Sequence, residues 1–239
     1  MQNFIKNNLN FLNQDWLIIA DGEALSKNKL EKLSFNRKIL VLDGAYKIIK
    51  KFNLNFDFLL GDLDSVDLKD LEDLKIKNPE KIIHTPDQNK TDLDKGLEFI
   101  FNFQPKNISI ASAVGLRLQH SLYNLRALKR YFKPLENFQE FKKLDQSDFK
   151  ACPLSIFSEK EQINYYENTE VMIAGSPGQS IGILGFPKGM ASSEGLKYEL
   201  ENYVLDFEKS NSTSNSFERD CVKLKITGEV LVILEFKEN

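Results

Sequence analysis

Residues 39–65 read ILVLDGAYKIIKKFNLNFDFLLGDLDS, and their pattern is the clearest indication of the architecture. Two short apolar runs, Ile39 to Leu42 and Phe56 to Leu60, enclose a segment of helical periodicity from Ala45 to Phe52. Continuous apolar runs separated by helices are typical of a parallel sheet that is covered on both faces. Such sheets bind ligands beyond the carboxyl ends of their strands, and here each run ends in an acidic motif. The segment therefore predicts an α/β domain with a binding site at one sheet edge.

The same alternation continues through the first half of the chain. Further apolar runs lie at 16–20, 81–84 and 108–113, and further segments of helical periodicity lie at 23–33, 68–77, 91–101 and 121–132. The sequence then becomes irregular and polar, and afterwards short apolar runs alternate with breakers such as Gly175-Ser-Pro-Gly178. This later pattern favours a small antiparallel β-sandwich or barrel. We predict a parallel-sheet α/β domain at 1–132, a linker at 133–157 and an all-β sandwich domain at 158–239.

The composition is that of a globular protein without a strongly charged surface. Of its 239 residues, 41% are hydrophobic and 28% are charged, and the net charge is −3. The slightly acidic balance argues against a nucleic-acid partner. No apolar run approaches the ~18 residues of a membrane span, and the N-terminus does not resemble a signal peptide, so we expect no membrane partner. Cys152 and Cys221 lie far apart without metal-ligand spacing, and we expect a cytoplasmic location.

Acidic side chains follow three of the apolar runs, as Asp43-Gly44, Asp62-Leu-Asp64 and the segment from Asp87 to Asp92. In an extended segment, the carboxylates of Asp62 and Asp64 would point to the same side. Two adjacent carboxylates repel unless a cation lies between them, and hard oxygen ligands suit Mg²⁺. Helix capping is the alternative for one Asp of such a pair, and it fully explains Thr91 and Asp94 as a capping box. Turn geometry alone could explain Asp43-Gly44.

A cationic segment, Gly115-Leu-Arg-Leu-Gln-His120, follows the fifth run. An arginine suits phosphate oxygens, and helix N-terminal amides near Ser121 would add donors. A surface arginine and a capping histidine are the alternative, and Lys90 has the same ambiguity. Carboxylates for a metal, together with Arg, Lys and His for phosphate, describe a nucleotide-polyphosphate site of the phosphoryl-transfer kind. The chain has no Walker A string, so this site is not that of a P-loop enzyme.

Four motifs, in this order and spacing, resemble the thiamine pyrophosphokinase family. They are Asp43-Gly-Ala45, Gly61-Asp-Leu-Asp-Ser65, Asp87-Gln-x-x-Thr-Asp92 and Gly115-x-Arg-x-x-His120. The resemblance extends into the second domain through Glu194-Gly-Leu-Lys-Tyr198, Leu200 and Ser212-Thr-Ser-Asn215. It implies a homodimeric enzyme that transfers a diphosphate from MgATP to the hydroxyl of thiamine, giving thiamine diphosphate and AMP. It also implies an α/β domain that binds ATP and a β-sandwich domain that binds thiamine.

The resemblance further implies roles for individual residues. The metal ligands for Mg²⁺ would be Asp43, Asp62, Asp64 and Asp92, and the catalytic group would be Asp62, Asp64, Asp92 and Arg117. The nucleotide-binding residues for the co-substrate ATP would be Asp43, Gly44, Asp87, Gln88, Lys90, Thr91, Arg117, Gln119 and His120. Thiamine would be held by Ser212, Ser214 and Asn215, for which a polar turn is the alternative. Among the aspartates, Asp92 is our choice for the group that accepts the hydroxyl proton.

Several positions depart from the family pattern. Gln119 and Asn89 stand where the family usually has an acid, Tyr46 stands where it usually has a small residue, and Trp16 is the only tryptophan. A neutral Gln119 is a poorer magnesium ligand than a carboxylate. These departures leave open a catalytically weak nucleotide- or thiamine-binding sensor of the same fold. A further alternative reads Asp62-Leu-Asp64 as the metal-binding DxD of a sugar transferase, although it does not explain the other motifs.

Overall fold

A computed structural model describes residue 4 and residues 8–132 and 153–236 of the chain. The chain divides into a first unit, Met1–Glu159, and a second unit, Lys160–Asn239. The strands of the first unit are β1 (Asp15–Ile19), β2 (Lys38–Leu42), β3 (Phe58–Gly61), β4 (Ile82–His84), β5 (Asn107–Ala111) and β6 (Leu154–Phe157). Its helices are α1 (Lys27–Ser34), α2 (Tyr46–Phe52), α3 (Leu68–Lys77), α4 (Asp92–Phe101) and α5 (Leu118–Arg130). Short 3₁₀ helices lie at Leu9–Phe11, Asp43–Ala45 and Pro79–Lys81.

The sheet of the first unit has the strand order β6-β5-β1-β2-β3-β4, and each of these neighbouring pairs is parallel. The predicted parallel α/β architecture is therefore confirmed. The chain runs from β1 outwards to β4 and then returns to place β5 on the other side of β1. In open α/β sheets a ligand crevice forms where the strand order reverses in this way. The segments that follow β1 and β5 are therefore expected to line a site.

Both faces of this sheet are covered, because successive strand residues point to opposite sides. Leu17 and Ile19 belong to an apolar cluster that includes residues of α1, α2 and α3. On the other face, Trp16 stacks against Phe103 with ring centroids 5.5 Å apart. Phe99 of α4 contacts Phe58 edge to face at 5.2 Å. Burial on both sides explains why these strands read as continuous apolar runs.

The second unit is built on two long antiparallel strands, β9 (Ser180–Glu194) and β12 (Cys221–Glu235). Shorter strands flank them, namely β7 (Glu161–Glu167), β8 (Glu170–Ala174), β10 (Tyr203–Asp206) and β11 (Ser212–Ser216). β8 pairs with the first half of β12 and β7 with the second, while β11 and β10 pair with the two halves of β9. Both halves contribute to one apolar core that includes Ile183, Leu224 and Val232. The predicted antiparallel β domain is confirmed.

We predicted the segment 133–157 to be a linker, but its last residues form a strand of the first sheet. Leu154–Phe157 forms β6, and it pairs in parallel with β5 with Leu154 opposite Ile108. Leu154 and Ile156 are buried, so this end of the segment belongs to the first unit. Residues 133–152 lie outside the described residues, and the remaining domain boundaries stay a prediction. No helix within the described ranges is long and apolar enough to span a membrane.

Candidate functional site

A cleft of about 530 Å³ lies at the carboxyl edge of the first sheet. Its lining comes from the segments after β1, β2, β3 and β5 and from the start of α4 and α5. It includes Ala20, Asp21, Gly22, Asp43, Gly44, Ser65, Thr91, Asp92, Gly115, Arg117, Gln119, His120, Tyr123 and Asn124. The cleft is therefore at the position that the reversal of strand order predicts.

An acidic cluster formed by Asp43, Asp62 and Asp64 lies at this edge. Each of the three side chains has a carboxylate oxygen within 4.8 Å of such an oxygen on the other two. Asp43 is buried, Asp62 is half-buried and Asp64 is exposed, so the cluster leads from the interior to solvent. Carboxylates this close repel unless a cation lies among them, and a hard oxygen donor set suits Mg²⁺ with retained waters. The donor set therefore fits the predicted metal.

Asp43 is held rigidly at the base of the acidic cluster. Its Oδ1 accepts a hydrogen bond from the Gly44 N–H at 2.7 Å, and its Oδ2 accepts one from the Leu63 N–H at 2.8 Å. Burial raises the pKa of the Asp43 carboxyl to about 6, the two backbone hydrogen bonds oppose this shift, and the charge of Asp92 adds to it. A cation bound beside Asp43 would favour the ionised carboxylate.

Asp62 and Asp64 meet across a turn and not along an extended segment. Leu63 between them has φ of 69°, in the left-handed region that few non-glycine residues adopt. This conformation is retained because the Leu63 side chain is buried in the apolar cluster and its N–H is bound to Asp43. The proximity that the sequence pattern predicted is therefore present, but its cause is a tertiary constraint on Leu63.

Gly61, the last residue of β3, leaves room for the Asp43 carboxyl group. A Cβ at position 61 would overlap the Asp43 side chain. We expect Gly61→Ala to lower the free energy of unfolding by about 1–3 kcal/mol, measured by urea denaturation, because Asp43 would be displaced. Gly182→Ala is the matched control, since a Cβ at this strand position would lie 3.6 Å from its nearest neighbour. Equal unfolding midpoints for the two variants would contradict the placement of Asp43.

The segment between β4 and α4 contacts the acidic cluster through Gln88. Its Nε2 donates to Asp62 Oδ2 at 2.8 Å, and this hydrogen bond is the main cause of a lowered pKa of the Asp62 carboxyl. Asp87 Oδ1 instead accepts hydrogen bonds from the Asn89 N–H at 2.9 Å and Nδ2 at 3.0 Å. Lys90 forms an ion pair with Glu98 at 2.7 Å. Neither Asp87 nor Lys90 lines the cleft, and their nucleotide-binding roles stay predictions.

Thr91 and Asp92 lie at the first turn of α4 and line the cleft. Thr91 Oγ1 accepts a hydrogen bond from the Asp94 N–H at 3.2 Å, as the capping box predicts. Asp92 is not part of the acidic cluster in the described residues. Its Oδ1 instead accepts a hydrogen bond at 3.0 Å from Lys95 Nζ, which also donates to the Thr85 carbonyl at 3.1 Å. Lys95 is only 8% exposed, and its ammonium group orients the Asp92 carboxylate through this hydrogen bond.

Arg117, Gln119 and His120, at the start of α5, line the cleft with exposed side chains and form what we call its cationic wall. The start of α5 is anchored to the loop before it. Ser121 Oγ accepts a hydrogen bond from the Gly115 N–H at 3.1 Å, and Asn124 Nδ2 donates to the Ala113 carbonyl at 2.7 Å. The lining of the cleft therefore combines carboxylates with a guanidinium, a set of groups suited to a metal-bound polyphosphate.

The segment after β1 contributes Asp21 and Gly22 to the cleft. The sequence motifs gave neither residue a role. Asp21 Oδ1 forms an ion pair with Lys47 Nζ at 2.7 Å. A Cβ at Gly44 would lie 2.8 Å from Asp21 Oδ2, so glycine at position 44 permits the two loops to approach. The available signal was an apolar run followed by Asp-Gly, the same pattern that marks Asp43-Gly44.

The predicted thiamine residues Ser212, Ser214 and Asn215 lie on β11 in the second unit. Asn215 is buried, and its Oδ1 accepts hydrogen bonds from the N–H groups of Tyr198 at 3.1 Å and Ser216 at 2.9 Å. Its Nδ2 donates to the Tyr198 carbonyl at 2.7 Å. Asn215 therefore joins β11 to the Tyr198 segment, whereas Ser214 is exposed. Their role in binding a substrate stays a prediction.

Known proteins resemble this chain in both units. The family model of the thiamin pyrophosphokinase catalytic domain matches residues 13–140, and that of the thiamin pyrophosphokinase vitamin B1 binding domain matches residues 162–231. Thiamin pyrophosphokinase 1 of Caenorhabditis elegans is 27% identical over 235 residues, which cover 93% of this chain and 88% of that protein. Thiamine pyrophosphokinase 2 of Arabidopsis thaliana is 25% identical over 190 residues, which cover 77% and 66%.

Solved structures agree with the fold. Thiamine pyrophosphokinase from Bacillus subtilis aligns with a TM-score of 0.78 and 17% identity, covering 94% of this chain and 100% of that chain. Thiamin pyrophosphokinase from Candida albicans aligns with a TM-score of 0.76 and 16% identity, covering 94% and 90%. At these identities, the structural similarities establish the architecture of the chain.

Proposed function

The chain belongs to the thiamin pyrophosphokinase family, and from this premise we propose that it transfers the β,γ-diphosphate of MgATP to the hydroxyl of thiamine. The products are thiamine diphosphate and AMP. The observation that best supports this proposal is the acidic cluster, whose Asp43 lines the same cleft as the cationic wall, while Asp62 and Asp64 are outside that lining. Phosphoryl transfer depends mainly on positioning and on neutralising phosphate charge, and these groups supply both.

The acidic cluster would hold Mg²⁺ through Asp43, Asp62 and Asp64. A bound Mg²⁺ supplies charge neutralisation at the phosphate oxygens. The protein contributes a rigid donor set, because two backbone N–H groups hold Asp43 and Gln88 holds Asp62. Asp92, which we predicted as a further ligand, has its Oδ1 bound to Lys95, and its role as a metal ligand stays a prediction.

The nucleotide would lie in the cleft, beside the cationic wall. Arg117 contacts phosphate oxygens, while Thr91, Gln119 and His120 line the remainder of the nucleotide site. The thiamine oxygen attacks the β-phosphorus in line, the bond from the β-phosphorus to the α,β-bridging oxygen breaks, and AMP leaves. Asp92 accepts the hydroxyl proton, since it lines the cleft and Lys95 orients its carboxylate.

Thiamine binding belongs to the second unit in this proposal. The vitamin B1 binding domain model covers Ser212, Ser214 and Asn215, which supports their assignment to the thiamine site. Gln119 lies in the cleft where a family carboxylate is usual, and as a neutral acceptor it would contact the nucleotide and not the metal. A homodimer and a cytoplasmic location complete the proposal; light scattering of the purified protein tests the former.

Incubation of the purified protein with ATP, Mg²⁺ and thiamine tests the activity. We expect equimolar AMP and thiamine diphosphate, measured by liquid chromatography, and no AMP when thiamine is omitted. Formation of ADP would contradict diphosphate transfer. Tight binding of thiamine or nucleotide in calorimetry without AMP formation would favour the sensor alternative.

A further inference from the structure

A buried carboxylate outside the acidic cluster connects α4 to α5. Asp94 is only 2% exposed. Its Oδ1 accepts a hydrogen bond from the Tyr131 hydroxyl at 2.9 Å, and its Oδ2 accepts one from the Tyr123 hydroxyl at 3.1 Å. Arg126 Nη2 donates to both oxygens, at 3.3 Å and 3.1 Å. A buried carboxylate with several donors, one of them charged, is held in a single orientation.

The two helices that meet at Asp94 both contribute residues to the lining of the cleft. The first turn of α4 supplies Thr91 and Asp92, and Thr91 Oγ1 also donates to Asp94 Oδ2 at 3.1 Å. The first turn of α5 supplies the cationic wall with Arg117 just before it. The hydrogen bonds of Asp94 therefore tie the acidic side of the cleft to the cationic side within the first unit.

Helix α5 is restrained at two places along its length. Ser121 and Asn124 bind the loop before the helix, and Tyr123, Arg126 and Tyr131 bind Asp94. The Arg126 guanidinium also stacks on the Tyr123 ring, 4.1 Å from its centroid. The contacts of the loop set where α5 begins, and the contacts of Asp94 set the position of α5 relative to α4.

We propose that Asp94 is a positioning residue for the phosphate site. By holding Tyr123 and Arg126, it sets the position of Arg117 relative to the start of α4, so that Arg117 contacts the polyphosphate of a bound MgATP. This inference rests on the proposed function, because it concerns the binding of ATP in the same cleft. Loss of the carboxylate charge would leave Arg126 without its buried partner and release α5 from α4.

Asp94→Asn tests this role, because it preserves the side-chain shape and removes the charge. We expect the KM for ATP to rise by about tenfold or more, since small displacements of binding groups are costly, while the KM for thiamine changes by less than about twofold. A role in folding alone would reduce the fraction of active protein, which lowers the apparent kcat and leaves both KM values unchanged. Ile100→Val, a buried change on the same helix, is the control for stability.

Two further variants keep the proposal testable if Asp94→Asn does not fold. Tyr131→Phe removes one donor to Asp94 without leaving a charge unpaired, and we expect a smaller rise in the KM for ATP. In a cycle of Asp94→Asn with Arg126→Met, we expect the double variant to be no worse than either single variant, because the pair acts as a unit. Unchanged KM for ATP in both Asp94→Asn and Tyr131→Phe would overturn the proposal.

Failure of this inference can be distinguished from failure of the proposed function. The wild-type protein is first assayed for thiamine diphosphate, and the variants are then compared in calorimetric titrations with the analogue α,β-methylene ATP and Mg²⁺. If the wild type binds the analogue but forms no product, the proposed function fails while the role of Asp94 is still tested. Weakened analogue binding in Asp94→Asn, and not in Ile100→Val, supports positioning; equal binding in all three proteins contradicts it.

Discussion

Asp62→Asn is expected to lower turnover by about a hundredfold or more and to leave the fold intact. Asp62 is half-buried at the middle of the acidic cluster, and Gln88 orients its carboxylate at 2.8 Å. An asparagine at this position retains one oxygen but has no charge, so it binds a divalent cation weakly. Steady-state kinetics over a range of Mg²⁺ concentrations should show both a lower kcat and a higher Mg²⁺ requirement.

The matched control for Asp62→Asn is Asp73→Asn. Asp73 is an exposed carboxylate on α3, paired with Lys77 at 3.1 Å and outside the acidic cluster. It undergoes the same chemical change, and we expect its turnover to stay near that of the wild type. If Asp62→Asn retained near-normal turnover at low Mg²⁺, Asp62 would not belong to the metal site.

Arg117→Ala is expected to lower kcat by about a hundredfold to a thousandfold, because a preorganised cation on the phosphates is removed. Arg117 lines the same cleft as the carboxylates of Asp43 and Asp92. Arg117→Lys should recover only part of the activity, since lysine restores the charge but not the planar, bidentate donor geometry.

Arg219→Ala provides the control for Arg117→Ala. Arg219 is an exposed arginine in the second unit and does not line the cleft. We expect its kcat and thermal stability to match those of the wild type. Equal activities of Arg117→Ala and Arg219→Ala would exclude a phosphate contact for Arg117.

The fold was predictable where a segment's own pattern determines its structure. The helical periodicity of 68–77 predicted α3 with the bounds that the structure shows, although the N-cap is Asp67. The parallel sheet followed from apolar runs such as 39–42, because burial on both faces removes any alternation. The strand Leu154–Phe157 was missed because it follows an irregular polar segment, and its place in the sheet is set by pairing with β5.

The candidate site was predictable as a set of motifs but not as a set of contacts. The positions of Asp43, Asp62 and Asp64 at the ends of adjacent strands correctly predicted that their carboxylates meet. The spacing of three residues on a helix is compatible with a pair between Asp92 and Lys95, but sequence could not show that Lys95 is buried and also binds the Thr85 carbonyl.

Asp94 shows the same limit for tertiary contacts. In the sequence, a capping box was sufficient to explain an aspartate at position 94, and Thr91 does cap α4 by accepting a hydrogen bond from the Asp94 N–H. Its side chain has a separate set of partners on α5, about 30 residues later in the chain. Local pattern contains no information about such pairings, because they depend on how two helices pack.

Oxygen labelling would examine the proposed reaction at the bond that breaks. With ATP carrying ¹⁸O in the α,β-bridge, the account predicts that thiamine attacks the β-phosphorus and that the label leaves with AMP. Mass spectrometry should then find labelled AMP and unlabelled thiamine diphosphate in equal amounts. Formation of thiamine monophosphate with ADP, or recovery of the label in free pyrophosphate, would contradict diphosphate transfer by this protein.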